Sequence, residues 1–349
     1  MAYTTIDDPT IFFNTKLYTG NGGNQTITGV GFKPDWTWWK SRDAGNSHAL
    51  VDIVRGTNGV LYSGSTSTEQ PISAQTFNSD GYALVQDGGA NSINSNGSTK
   101  VGWSWLAGGS QGSSNTDGSI NTTYTSANTT SGFSISTYTG NGNIGATVGH
   151  GLGAVPEMII VKRLNGASDW MVYHKNIGNN YRLRLNTTAA EQDNPVWNDT
   201  TPTSSLFYMN DNGDANASGG TYVAYCFAPK KGYSKMGIYK GNGNADGPYV
   251  DLGFSPAFTL IKRVSGGTES WYINDNKRLG YNPNHYYLLP NDPAAEGSST
   301  SLKIDLLSNG FKIRNTDTSY NTTGSLYVYM SFASAPFVNS SGIPTTAGV

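Results

Sequence analysis

Tyr18-Thr19-Gly20-Asn21-Gly22 spells YTGNG, and the same five letters return at Tyr138 to Gly142 and, with Lys for Thr, at Tyr239 to Gly243. Gly-Asn-Gly suits backbone at positive φ, so each copy reads as a tight turn closing a hairpin. The competing reading is a glycine-rich phosphate loop. That loop needs a strand before it and a helix and an acid after it, or Gly-Lys-Ser/Thr in its P-loop form. The residues after each copy are β-branched and glycine-rich instead, so YxGNG marks the first hairpin of a repeated module.

Aligning the three copies brings further matches. Each is followed by a Pro-led apolar segment ending in a cation: KPDWTWWKSR, VPEMIIVKR and SPAFTLIKR. Pro34 to Lys40, Pro156 to Lys162 and Pro256 to Lys262 are the same six-residue step, which suits central strands whose ends reach solvent. An acid recurs downstream: Glu69 and Glu191 lie 29 residues after their lysines, and Glu296 lies 34 after its own. Each copy closes on an alternating segment, KVGWSW, YVAYCF or YVYMSF. Alternation puts Val101, Trp103 and Trp105 on one face, matched by Val223, Tyr225 and Phe227 and by Val328, Met330 and Phe332. Trp103, Trp105, Tyr225, Phe227, Met330 and Phe332 are thus core residues of the repeat, with Lys100, Gly102 and Ser104 on the opposite side.

Composition agrees with strands. Gly, Ser, Thr and Asn abound, charged residues make up 13% and aromatics 12%, and helix-forming runs are missing. The reading is an all-β chain of three tandem antiparallel β-sandwich modules. Residues 1–15 form an N-terminal arm, 16–109 the first module, 110–132 a Gly/Ser/Thr/Asn-rich linker, 133–232 the second module, 233–336 the third and 337–349 a tail. Ile11, Phe12 and Phe13 precede the first module without partners of their own and are candidate anchors.

A net charge of −2 with no basic run argues against nucleic acid, and no apolar run approaches a membrane span. The start carries two Asp before any apolar pair, so no secretory leader is expected and synthesis is placed in the cytoplasm. One cysteine, Cys226, rules out an intrachain disulfide framework and a Cys-based zinc site.

Catalytic and metal patterns are fragmentary. His48, His150, His174 and His285 show no metal spacing and read as surface or satisfied core histidines. Gly108-Gly109-Ser110-Gln111-Gly112 fits G-x-S-x-G but sits in the linker, not at a strand-to-helix corner. NDNGDAN (210–216) has a calcium-loop look at Asp211, Asn212 and Asp214, yet lacks the later bidentate Glu. One repeated carboxylate per module, Glu69, Glu191 or Glu296, is not the carboxylate pair of a glycosidase; pairing with Lys40, Lys162 and Lys262 is the expectation. No enzyme activity and no cofactor are expected. Trp170, Trp271, Tyr286 and Tyr287 are the candidates for stacking on sugar rings.

FNTKLYTGNGGNQTITGVGFKPDWTWWKSRDAGNSHALVDIVRG (13–56) closely resembles the repeat module of structural proteins of marine, especially cyanobacterial, bacteriophages. There a FxPDWxWxKxR segment leads to a His-containing stretch, a D-x-VRG element and a WxWKAGG-like closing strand. Here the last reads Trp103-Ser104-Trp105-Leu106-Ala107-Gly108-Gly109, with Leu for the usual Lys. Residues 113–163 are similar to a recurrent phage segment. The likeness covers residues 1–175, and copies two and three lack D-x-VRG. It implies jelly-roll-like or lectin-like modules in a virion component; the reading built on it is a protein exposed at the particle surface, with the major capsid protein or tail proteins as partners. The expected placement is a capsid decoration or knob protein. The alternative is a tail-associated fibre or adhesin for host attachment, touching host cell-surface glycans. Homo-oligomers fit either.

Overall fold

Segments that alternate apolar and polar residues become strands, and the computed structural model is built almost wholly from them; it describes residues 3–73, 75–85 and 91–345. The chain is an all-β protein of antiparallel sheets. Three large sheets carry the repeat. The first runs Phe13–Thr19, Thr99–Trp105, Trp36–Ser41, Ala49–Asp52, Gly56–Tyr62, Gln70–Pro71. The second is led by Thr122–Asn128, Phe133–Thr139, Thr221–Phe227 and Met158–Arg163, and the third runs Ser234–Lys240, Leu326–Pro336, Phe254–Arg263, Trp271–Asp275. Each closing strand lies between the strand entering YxGNG and the Pro-led strand. Trp105 pairs with Phe13 and Trp36, Phe227 with Phe133 and Met158, and Phe332 with Ser234 and Phe258.

The apolar faces of all three sheets meet in one buried cluster. It holds Val101, Trp103 and Trp105, their counterparts in the other copies, and Trp36, Trp38, Met158, Ile160, Phe258 and Leu260 from the Pro-led strands. Ring contacts cross between sheets: Trp36 to Tyr225 at 4.6 Å, Trp105 to Phe332 at 5.6 Å and Phe227 to Phe332 at 6.0 Å. Each sheet's other face has its own apolar cluster. Small outer sheets cover these clusters, led by Gln25–Thr28, Ala146–Gly149 and Tyr249–Asp251. The inner strands are therefore buried on both faces. Lys100 and Ser104, on the side read as mixed, are fully buried because the outer sheet lies over them.

YxGNG does not close a hairpin. The strands on either side of it belong to different sheets, so it is the corner where the chain passes from inner to outer layer. Its letters have separate causes. The Tyr hydroxyl donates to a carbonyl at the end of a short helical turn: Tyr18 to Ile93, Tyr138 to Ala215 and Tyr239 to Tyr320, at 2.6, 2.8 and 2.9 Å. The first Gly has no room for a side chain: a Cβ on Gly20 or Gly140 would lie 2.3 Å from the Ser95 carbonyl oxygen or 2.5 Å from that of Ala217. The second Gly, at 22, 142 and 243, has φ near +70°. A buried Asn closes the corner. The side-chain oxygens of Asn94, Asn216 and Asn321 accept from the backbone N–H of Asn21, Asn141 and Asn242, at 3.1, 3.0 and 2.8 Å.

The expected linker is partly strand. Thr122–Asn128 pairs along Phe133–Thr139 as the edge of the second sheet, and Ile120 is buried. A polar, Thr-rich edge strand and a linker share one composition, because both leave backbone groups open to water and bury few large apolar side chains. The arm is docked, not free. The Tyr3 hydroxyl donates to the Gly253 carbonyl at 2.9 Å, the Thr4 hydroxyl to that of Lys231 at 2.7 Å, and Ile6 joins the shared core. In the tail, the Ser340 N–H donates to Asp7 at 2.7 Å. Residues 1–2 and 346–349 of the arm and tail lie outside the described residues.

Truncating Trp105, which touches the rings of Phe258 and Phe332 in the third sheet, to Ala is expected to cost about 3–5 kcal/mol in a urea titration. Asn216→Ala, which strands buried backbone groups at a corner, should cost about 1–3 kcal/mol. Equal stability of either variant and the parent would contradict the packing described.

Candidate functional site

The repeated lysine and glutamate are the most chemically suggestive groups, and strand parity decides where they go. Lys40, Lys162 and Lys262 fall on the same face as Trp38, Ile160 and Leu260, so each points inward at the end of its strand, against the neighbouring copy. They are fully buried, not at solvent as the sequence suggested. Their ammonium groups find carbonyl oxygens instead of carboxylates. Lys40 Nζ donates to Ser41 and Ala44 at 2.9 and 3.1 Å and, across the seam, to Pro293 of the third copy at 3.0 Å. Lys162 Nζ donates to Ser168 at 2.6 Å and to Thr66 of the first copy at 3.0 Å. Lys262 Nζ donates to Glu269 and, at 2.8 Å, to Thr188 of the second copy. Burial pushes Lys40 and Lys162 down to about 8 and Lys262 down to about 7.

The glutamates bind the same seams in the opposite direction, through their backbone. The N–H groups of Glu69, Glu191 and Glu296 donate to the carbonyls of Leu164, Val264 and Arg42, at 3.0, 3.0 and 2.7 Å. The first copy is thus bonded to the second, the second to the third and the third to the first: a closed ring. The expected Lys–Glu pairing is not made. Two of the carboxylates meet arginines: Glu69 pairs with Arg55, and Glu296 with Arg42 at 2.8 Å and Arg278 at 3.1 Å. Glu191 has no ion pair among the described residues, and burial pushes its carboxyl up.

Arg55 belongs to D-x-VRG, and the third copy proves to have a counterpart that its letters conceal. Arg55 Nε donates to Asp52 at 2.6 Å and Arg278 Nε to Asp275 at 2.6 Å, each three residues apart and buried. Both aspartates also accept across a seam, Asp52 from the Tyr225 hydroxyl at 2.7 Å and Asp275 from Trp103 Nε1 at 3.0 Å. In the second copy His174 and Ile177 take these places. Ile177 offers no guanidinium, which accounts for the lone Glu191.

Trp170 and Trp271 cannot stack on a sugar. Both are buried, and their Nε1 atoms donate across seams to Tyr62 at 3.0 Å and Arg184 at 2.9 Å. His48 occupies the matching place in the first copy. Tyr286 and Tyr287 are half-buried on a short strand of the third copy, with Tyr287 tilted against Tyr272 at 5.4 Å. Of the candidate anchors, Ile11 is exposed, Phe12 packs edge-on against Tyr233 at 5.9 Å, and Phe13 is a core residue stacked on Phe332 at 5.3 Å. Asp214 sits in a one-turn helix capped by Asn212, and no cluster of His, Cys, Asp and Glu fit for a metal exists among the described residues. No helix among them is long and apolar enough to cross a membrane.

His48, His150 and His174 are buried with Nδ1 as acceptor: from Trp38 Nε1 at 2.9 Å, and from the N–H of Leu152 at 3.2 Å and Asn176 at 3.3 Å. Burial lowers all three, His174 to about 4.

One surface feature lies outside this threefold scheme. In the third copy a cleft of about 350 Å³ opens beside Tyr281, Asn276 and Leu306. Sequence reasoning stopped at Tyr286 and Tyr287 nearby; the signal for Tyr281 was the longer Lys-to-Glu interval of this copy.

Residues 8–336 match the family described as Domain of unknown function (DUF7483), and the chain belongs to that family. The match runs through all three large sheets as one unit. No curated protein and no solved structure matches.

Arg278→Met, which leaves Asp275 buried without its cation, should cost about 3–5 kcal/mol. Arg42→Met, at a partly exposed pair, should cost about 1 kcal/mol or less. The buried histidines predict acid sensitivity. Their folded values lie below the unfolded 6.5, so the unfolded chain binds more protons as pH falls from 6.5 toward 4, and stability falls over that window. Asp35, pushed up to about 6 by burial, and Glu191, pushed up by the same cause, oppose this with two groups against three. A urea midpoint that is flat or rises from pH 6.5 to 4 would refute this.

Proposed function

We propose that the chain is a non-enzymatic structural protein of a bacteriophage particle, displayed on its surface as a decoration or knob protein bound to the major capsid protein. The observation that carries this reading is where the repeated polar side chains go. Lys40, Lys162 and Lys262 are engaged between copies, as are Trp170 and Trp271. What recurs in this chain serves a rigid closed body, which is what a particle component exposed to shear and dilution requires. The likeness of residues 13–56 and 113–163 to marine phage modules supports the virion assignment. Compactness favours decoration over a slender fibre: one core unites the three sheets and the terminal segments meet at Asp7 and Ser340.

A second reading, a tail-associated fibre or receptor-binding adhesin that contacts host glycans, draws on the cleft at Tyr281, which the ring does not use. Immunogold labelling of intact particles separates the two. Gold over the head is the expected result, gold confined to the tail selects the adhesin, and unlabelled particles that contain the chain would end the surface reading.

A further inference from the structure

The third copy has one connection that is longer than its counterparts in the other two. From Arg55 to Tyr62, and from Ile177 to Arg184, the connection takes seven residues; from Arg278 to Leu289 it takes eleven. Tyr62, Arg184 and Leu289 stand at matching places: the first two carbonyls accept from the tryptophans of the next copy, and that of Leu289 faces His48. Two copies build the ring without the extra residues, so the fold does not require them.

These residues are nevertheless well held. Both polar atoms of the Asn282 side chain bond the Leu306 backbone, at 2.8 and 2.9 Å. Asn284 exchanges backbone hydrogen bonds with Ile304 at 2.8 Å in both directions, and its side chain donates to the Asp275 carbonyl at 2.8 Å. The result is a preformed cleft of about 350 Å³ walled by Ser255, Pro256, Asn276, Tyr281, Asn282 and Leu306, with no charged residue in its lining. Tyr281 is 67% exposed, the most open tyrosine among the described residues. Asn276 has a side-chain oxygen that is buried without a partner.

We infer that this cleft binds a neutral pyranose, the Tyr281 ring lying against the apolar face of the sugar. Ser255 and Asn276 in the lining are the polar residues beside its hydroxyls. Size and charge select this occupant. A preformed cleft of this volume suits a small ligand, whereas a protein partner needs about 800 Å² from each side. A nucleotide or other anion would find no cation in the lining. Lys277, next to Asn276 in the chain, lines a different crevice with Phe13 and Ala333, and Lys303 and Arg314 line a separate depression beyond Asn282 and Pro283, where Arg314 faces Asp305 at 3.4 Å.

The inference deepens the adhesin reading, but the binding is a property of the isolated chain and does not depend on head or tail. The test is saturation-transfer NMR on the intact chain with the methyl glycosides of glucose, galactose, mannose and N-acetylglucosamine, and methyl glucuronide as the acidic comparison. At least one neutral glycoside should receive saturation. Tyr281→Ala should weaken its binding by about tenfold or more, with the melting temperature unchanged because the side chain is exposed. Tyr124→Ala, at an exposed tyrosine of the second sheet, should leave binding as it was. The proposal fails if no neutral glycoside is saturated, if Tyr281→Ala binds as well as the parent, or if the glucuronide binds as tightly. Failure here leaves the particle assignment intact, and absence of gold from particles would leave the sugar site intact.

Discussion

Three sheets turn one face each toward a single aromatic cluster, and the rest of the molecule is a consequence of closing that cluster. A lone sheet of this kind has two apolar faces; a small outer sheet covers one of them and only the other two copies can cover the second. Trp36, Trp105, Tyr225, Phe227 and Phe332 therefore touch across copies that are far apart in the chain. Because that packing is mutual, the copies cohere as one body, in keeping with a family that spans residues 8–336 without a break.

Closing the ring creates seams where strand ends abut, and the backbone carbonyls there need donors that water cannot supply. A long, flexible ammonium at the inward-facing end of each Pro-led strand meets that need. Desolvation opposes it, as the lowered lysine values show, and two or three carbonyls per lysine offset the cost. The glutamate N–H on the far side of each seam makes the return bond. Polar atoms, more than ion pairs, define the register between copies.

The copies have diverged where the ring tolerates it. His48 stands in for a tryptophan, His174 for an aspartate and Ile177 for an arginine, and each exchange leaves a trace: a histidine held neutral, a glutamate without a cation. The third copy instead keeps the Asp–Arg pair and lengthens the connection after it. The additional residues lie at the surface, where they carry Tyr281.

Much of this was legible in the sequence and some was not. The apolar set of the closing strands comes from period-2 alternation alone, and its members all reach the shared core. YxGNG was recognisable as a structural device, but its role as an inter-layer corner depends on Asn94, Asn216 and Asn321, which are more than seventy residues further along. The recurrence of Trp170 and Trp271 at equivalent places favours core over sugar platform, but a tryptophan's letter does not say what lies over its ring. Asp275 and Arg278 escaped notice because the spacing is kept while the letters between change. What the sequence determined by itself was strand, face and repeat, all set by local alternation. Only the tertiary structure decided that the three faces share one core and that the lysines serve carbonyls, because those choices depend on which surfaces the ring brings together.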